Sequence, residues 1–362
     1  MIDPHVHCRD GRQAHKETIA HALSVAYRAG VSGIFDMPNT DPPVTTRQQA
    51  EERLVLADSA GSPVFYGLYI GVTADENQIR EAVEAHKHLF PRVVGLKMFA
   101  GKSVGSLTVA EECQQRHVYE TLAGFGYEGV LSVHCEKESM MKPLLWDPEN
   151  PVSHFLARPP AAEIVSVFDQ ICFAEEYGFM GRLHIAHVSV PSSVDIVTKA
   201  RKKGKIRVSC EATPQHLLLN VDGVYAMYAS GKDTECMLLF KVNPPLRDLR
   251  DQREMWSRLE NGEIDFIATD HAPHTYEEKT GKSVVDGKKQ YLSGFPGLPF
   301  VPHFLEILRR RSFFTGEIDR LTHANAEGVF GLCVPRLYGV MPDYGLHTEY
   351  HVDVYKKLRV KL

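Results

Sequence analysis

Met1-Ile2-Asp3-Pro4-His5-Val6-His7-Cys8-Arg9 opens the chain, and the fold is read from this stretch outward. Residues 1–6 read as a short strand. Residues two apart in a strand share a face, so His5 and His7 point the same way. Two neutral imidazoles on one face can grip one cation of the zinc type. Arg9 keeps the same parity just past the strand, as a guanidinium fork for a carboxylate beside that cation. The plainer alternative is a His-rich terminus that binds metal by accident. Later segments answer it by supplying the missing ligands.

Seven further apolar runs follow, at residues 31–36, 64–70, 93–98, 130–134, 183–187, 206–210 and 264–268. Most are succeeded by a helical pattern. Eight short buried strands alternating with helices predict a (β/α)8 TIM barrel of the α/β class. A doubly wound sheet is the alternative, but no Gly-x-Gly-x-x-Gly follows an early strand. Residues 1–335 form the expected barrel. Residues 336–362 form a C-terminal tail, whose loose alternation over 346–358 predicts one or two strands outside it. Residues 276–291, rich in Lys, Gly, Glu and Asp, are expected to be a mobile loop over the site. The long proline-bearing connection after residue 134 is expected to form a pocket wall.

The chain has 362 residues, 43% hydrophobic, with a formal net charge of -5. That allows a large core and lacks the basic, aromatic-interleaved tracts of a nucleic-acid binder. There is no apolar run long enough to span a bilayer and no signal-like start, so membrane and export are not expected. The 7 cysteines are scattered singly, which reads as reduced thiols in a cytoplasmic protein.

Barrel chemistry sits where strands end. The predicted ends offer His5 and His7, then Lys97 inside Val94-Gly95-Leu96-Lys97-Met98-Phe99, then His134, His187 and Asp270. Each alone has a bland reading: a satisfied core histidine, a helix-capping Asp, a lysine that snorkels or pairs with Asp270. A buried ammonium is costly and repels a nearby cation. Carbamylation of Lys97 by CO2 would make it an anionic oxygen ligand shared by two ions. The first ion would take His5, His7, Lys97 and Asp270, and the second Lys97, His134 and His187. A hydroxide between them would be the nucleophile, with Asp270 as proton shuttle.

Arg9 beside the ions points to a substrate carboxylate. Asn39, in Met37-Pro38-Asn39-Thr40, and His274, four beyond Asp270, can complete that clamp. Asn243 sits in a second proline-stiffened loop. A cyclic amide bearing an acid satisfies this set. The alternative for both asparagines is plain turn formation.

Taken together, Asp3-Pro4-His5-Val6-His7-Cys8-Arg9-Asp10, Met37-Pro38-Asn39-Thr40, Lys97, His134, Ile185-Ala186-His187-Val188-Ser189, Asn243-Pro244-Pro245-Leu246-Arg247 and Ala268-Thr269-Asp270-His271-Ala272-Pro273-His274 resemble the dihydroorotases. These are amidohydrolases, and the likeness is to the long-chain type with a bridging lysine. It runs from residue 3 to about 331. The His-x-His start is shared with dihydropyrimidinases, hydantoinases and allantoinases; Arg9 is the dihydroorotase feature.

The resemblance implies reversible conversion of N-carbamoyl-L-aspartate to (S)-dihydroorotate and water, in pyrimidine (UMP) biosynthesis. It implies two Zn2+ ions bridged by N6-carboxylated Lys97 and a hydroxide. Asp270 would be catalytic. Arg9, Asn39, Asn243 and His274 would bind substrate, and the backbone at Gly297 would touch the ring. Long-chain members carry a longer segment ahead of the His-x-His motif, which forms a small β-domain with the tail. Here strand one starts at Met1, so either the chain is a shortened variant or its start is incomplete; the tail strands would then lack their usual partners and could pair across a homodimer. Two rivals stand beside this reading. One is a cyclic amidohydrolase acting on hydantoin, dihydropyrimidine or allantoin. The other is a catalytically silent assembly partner of aspartate transcarbamoylase.

Overall fold

In the computed structural model, which describes residues 1–102, 107–229 and 234–356, eight parallel strands stand in sequence order. They are β1 Ile2–Val6, β2 Gly33–Asp36, β3 Phe65–Gly71, β4 Val93–Phe99, β5 Val130–His134, β6 Arg182–Ile185, β7 Arg207–Ala212 and β8 Phe266–Ile267. The sheet closes on itself. Val6 bridges His271 in parallel, and the His7 amide donates to the His271 carbonyl at 2.7 Å. Asp3 adds a side-chain rivet, accepting from the Thr269 amide at 3.0 Å and its hydroxyl at 2.5 Å. This is the expected (β/α)8 barrel.

The helices start where side chains satisfy free backbone donors. Thr18 caps the helix Ile19–Arg28, and Thr46 with Gln49 forms a capping box on Arg47–Ser59. Asp75 and Asp248 cap Glu76–Leu89 and Leu249–Glu260. Apolar helix faces pack on the outer faces of the strands as one continuous core. Inside the barrel a separate apolar cluster of Ile2, Phe35, Tyr69, Val94, Val130 and Phe266 closes over Val329, Phe330 and Val334. Most of these side chains come from the early part of their strands, so apolar packing plugs the N-terminal end of the barrel. Each large apolar side chain buried there contributes about 1.5–3 kcal/mol.

One layer higher the interior turns polar. Lys97, Ser132, His184 and Ser209 are in-register neighbours across β4 to β7. Lys97 Nζ donates to Ser132 Oγ at 3.4 Å, and His184 Nδ1 lies 3.0 Å from Ser209 Oγ. This layer is the floor of the site.

Two expectations change. The described part of the tail forms no strand: it makes a 3-10 turn at Leu346–Glu349 and then an irregular segment with Val352, Val354 and Tyr355 buried. Tyr355 stacks on Phe300 with ring centroids 3.9 Å apart, so the tail's alternating apolar residues serve packing rather than a sheet. Residues 357 and 358 of the expected strands lie outside the described residues. Residues 276–291 also carry regular structure, a helix Tyr276–Thr280 and a two-stranded hairpin of Val284–Val285 with Lys288–Lys289. Thr275 and Glu278 cap that helix reciprocally, and Lys279 is buried with Nζ on the Lys241, Leu292 and Gly294 carbonyls. The sequence also places a short Gly-Ser loop at residues 101–106, which falls partly outside the described residues.

Candidate metal and active site

The C-terminal strand ends bring most of the expected side chains to one cleft. Its walls include His5, His7, Arg9, Asn39, His134, His187, Asn243 and Asp270. Ligand atoms of His5, His7 and Asp270 lie within 4.8 Å of one another. His7 Nε2 is 3.1 Å from Asp270 Oδ1, and His5 Nε2 is 3.5 Å from the same oxygen. Three donors converging on one point, all buried, fit a divalent ion of the zinc type.

The other nitrogens of these rings are held. His5 Nδ1 meets Glu211 Oε1 at 2.5 Å, and His7 Nδ1 meets Asn39 Oδ1 at 2.9 Å. Each contact fixes a tautomer that leaves Nε2 free to ligate. Asn39 therefore touches the His5/His7/Asp270 group through His7.

A second pair faces the first. His134 Nδ1 and His187 Nε2 are 2.9 Å apart, and the His5 and His187 rings are 5.1 Å apart. His187 Nδ1 has no hydrogen-bond partner among the described residues. His134 Nε2 lies 3.1 Å from Glu136 Oε2 but without the alignment of a hydrogen bond. Lys97 is fully buried below them, its Nζ 5.3 Å from the centre of the Phe99 ring.

Burial sets the protonation of these groups. It pushes His5 down to about 4, helped by the Lys97 ammonium and opposed by Glu211. It also lowers His7, His134 and His187. Four neutral imidazoles at neutral pH are what metal ligation requires. Burial lowers Lys97 to about 8 and raises Asp270 above the usual carboxylate range. Burial alone would also raise Glu211, but His5 and His184 outweigh it and hold the carboxyl ionised.

Three of the site residues have strained backbones. Arg9, His187 and Asp270 have φ of 52°, 39° and 48°, in the left-handed region that side chains disfavour. Such strain persists only where the surrounding structure imposes it, and it clusters at functional sites.

Arg9 is 1% exposed. Its Nε donates to the Pro273 carbonyl at 3.3 Å, and Nη2 lies 3.1 Å from His274 Nε2. That His274 nitrogen is also 3.1 Å from the Ser293 carbonyl, to which it donates when Nε2 carries the proton. Arg9 Nη1 has no partner among the described residues. Asn243 lines the cleft, with its Oδ1 accepting from His154 Nε2 at 3.0 Å. His274 stands behind Arg9 and is not among the cleft residues. Gly297 is also set back: its N–H donates to His271 Nδ1 at 3.1 Å, and Gly294 lines the cleft instead.

Sequence reasoning passed over Glu211, Glu136, Phe99 and Ser293. Glu211 carried a readable signal, an acid at the end of the seventh strand. Ending that strand at Cys210 dropped it. Glu136, two past His134, pairs with Arg158. Only the fold reveals that contact.

The class is now defined: a (β/α)8 barrel with a His-His-Asp metal cluster at its C-terminal mouth. No family model matches the chain. It is 30% identical over 333 residues to a dihydroorotase of Thermococcus kodakarensis, covering 92% of this chain and 68% of that protein. A dihydroorotase of Halobacterium salinarum is 31% identical, covering 92% and 71%. An allantoinase of Desulfitobacterium hafniense is 34% identical over 291 residues, covering 78% and 60%. The chain thus spans roughly two thirds of these relatives' length. Its fold is similar to that of the L-hydantoinase (dihydropyrimidinase) of Arthrobacter aurescens, with a TM-score of 0.76 at 24% identity over 95% of this chain and 73% of that one. The dihydropyrimidinase of Brevibacillus agri gives 0.73 at 20% identity, over 93% and 72%. The chain belongs to the dihydroorotase, hydantoinase and allantoinase family of metal-dependent cyclic amidohydrolases.

Among the described residues no helix is long and apolar enough to cross a membrane.

Proposed function

We propose that the chain hydrolyses and closes a cyclic amide that carries a carboxylate, with dihydroorotate as the ring and N-carbamoyl-L-aspartate as the open form. One observation carries this reading: Arg9 Nη1 is a buried, positively charged donor with no partner among the described residues, in the wall of the metal cleft. A neutral ring would leave that donor unsatisfied, at a cost of about 1–3 kcal/mol or more for a charged group. A ring carboxylate satisfies it with a charge-assisted bond.

The proposed cofactor is a pair of zinc ions. His5, His7 and Asp270 would hold one, His134 and His187 the other, and carbamylated Lys97 would serve both. Burial supports the lysine's part, because an amine near 8 is more often neutral, and so open to CO2, than an exposed one. When bound, the ions supply Lewis-acid polarisation of the amide carbonyl and a water of lowered pKa. The chain's own residues do the rest. Arg9 would fix the carboxylate and Asn243 would face the ring. Asp270 Oδ1, between His5 and His7, would hold the transferred proton and pass it to the ring nitrogen.

A second reading is favoured by the 34% identity to an allantoinase. There the ring is neutral, and Arg9 serves only to brace His274 and the Pro273 carbonyl. Assaying the full chain with dihydroorotate, hydantoin and allantoin in parallel, with metal measured in the same sample, separates the two. Fastest turnover of dihydroorotate is expected. Faster turnover of either neutral ring would replace the first reading with the second. No turnover in a fully metallated sample would favour the silent assembly partner.

A further inference from the structure

The barrel has another cavity at its opposite end, where the strands begin. It has a volume of about 250 Å3, and its walls include Arg182, Arg207, His86, Phe90, Val94 and Phe330. Arg182 and Arg207 open β6 and β7 and are in-register partners. In-register residues on neighbouring parallel strands project to the same face. Two guanidiniums are therefore held side by side, an arrangement that is repulsive by itself.

The two arginines are not equally satisfied. Arg207 donates to the backbone carbonyls of Met180 and Glu128. Arg182 is half-buried, and among the described residues its guanidinium makes no hydrogen bond or ion pair. Asp265, the acid just ahead of β8 whose charge acts on Arg182, is taken by Arg201. Burial, then the charge of Arg207, lowers the Arg182 pKa. Glu128 is the acidic residue of the lining, and its carboxylate pairs with neither arginine among the described residues. The remaining walls are apolar or aromatic.

We propose that this N-terminal mouth of the barrel binds a small organic anion, a carboxylate or phosphate carried on a planar apolar ring, with the anionic group on Arg182 and Arg207 and the ring against Phe90 and Phe330. Paired guanidiniums match the geometry of such oxyanions. The site lies at the far end of the barrel from Asp270 and is independent of the reaction proposed above.

Calorimetric titration of the full chain with phenyl phosphate, benzoate and inorganic phosphate tests this, using wild type, R182Q and R207Q. Saturable binding of a ring-bearing anion is expected, weakened about tenfold or more in each variant. Turnover of the cyclic amide should be unchanged in both variants, which also reports that they fold. The stronger of phenyl phosphate and benzoate identifies the anionic group. Absence of saturable binding by both ring-bearing anions would overturn the proposal. So would affinity retained in folded R182Q and R207Q, which would place the ligand elsewhere. Inorganic phosphate binding as tightly as phenyl phosphate would overturn the ring's part.

Discussion

Replacing Arg9 by Met removes the guanidinium and keeps an unbranched apolar stem in a fully buried position. Burial pulls Arg9 down to about 10, so it remains a cation at neutral pH. Among the described residues Nη1 is unpartnered, and Nη2 rests only on a His274 nitrogen that also faces the Ser293 carbonyl. Both are thus available to a substrate carboxylate. A hydrogen bond to a charged group contributes about 1.5–3 kcal/mol, so two such bonds would contribute at least about 3 kcal/mol. At about 1.4 kcal/mol per decade that is roughly a hundredfold loss in kcat/KM for dihydroorotate. The loss should fall mainly on KM, because the carboxylate is held equally before and during ring opening. Turnover of hydantoin, which has no carboxylate, should not fall with it. Steady-state kinetics on both substrates, with metal quantified in each preparation, gives the answer. Undiminished kcat/KM for dihydroorotate in a fully metallated Arg9→Met enzyme would refute the carboxylate argument. An equal loss on both rings would instead make Arg9 a scaffold residue.

Glu211→Gln weakens the contact that fixes His5 Nδ1, and loss of such an outer partner typically lowers metal affinity about 10–100-fold; competition with a chelator measures it, and circular dichroism checks the fold. Gly297→Ala places a Cβ 2.7 Å from Thr269 Cβ and 2.8 Å from the Thr269 carbonyl oxygen, so the strand end before Asp270 must shift; kcat should drop while secondary structure is retained. His86 is lowered to about 4 by burial and then by Lys87, against 6.5 for a free imidazole. Its folded pKa lies below the unfolded one, so stability is complete above pH 6.5 and falls as pH drops towards 4. Wild type should lose about 2 kcal/mol across that window relative to His86→Phe, after discounting for partial exposure; urea midpoints at pH 7, 6 and 5 compare them, and parallel curves for the two proteins would remove His86 as the cause.

The eight strands were legible because each is an apolar run buried on both faces, the pattern a closed parallel sheet imposes. The polar side chains that converge on the cleft were legible for a related reason. A lysine within such a run, or a histidine at its end, has a bland reading when taken alone, but polar residues recurring at five strand ends do not. Glu211 escaped because β7 continues two residues past Cys210, to Ala212, and a short strand's end is not marked by its own residues. That Gly297 spends its N–H on His271 and that His274 stands behind Arg9 was not legible. Such tertiary hydrogen bonds leave no periodicity to read. The tail failed differently. Val352, Val354 and Tyr355 alternate as a strand would, yet they are anchored by docking, with Tyr355 stacked on Phe300. Alternation records which residues are buried, not whether a neighbouring strand exists to pair with.

Ions located by anomalous scattering in crystals of the zinc-loaded chain bear most directly on the claim that separate strands assemble one metallohydrolase site. One peak should lie among His5 Nε2, His7 Nε2 and Asp270, a second between His134 Nδ1 and His187 Nε2, with density extending from Lys97 Nζ towards both. A crystal grown in excess zinc with no peak touching His5, His7 and Asp270 would contradict the account.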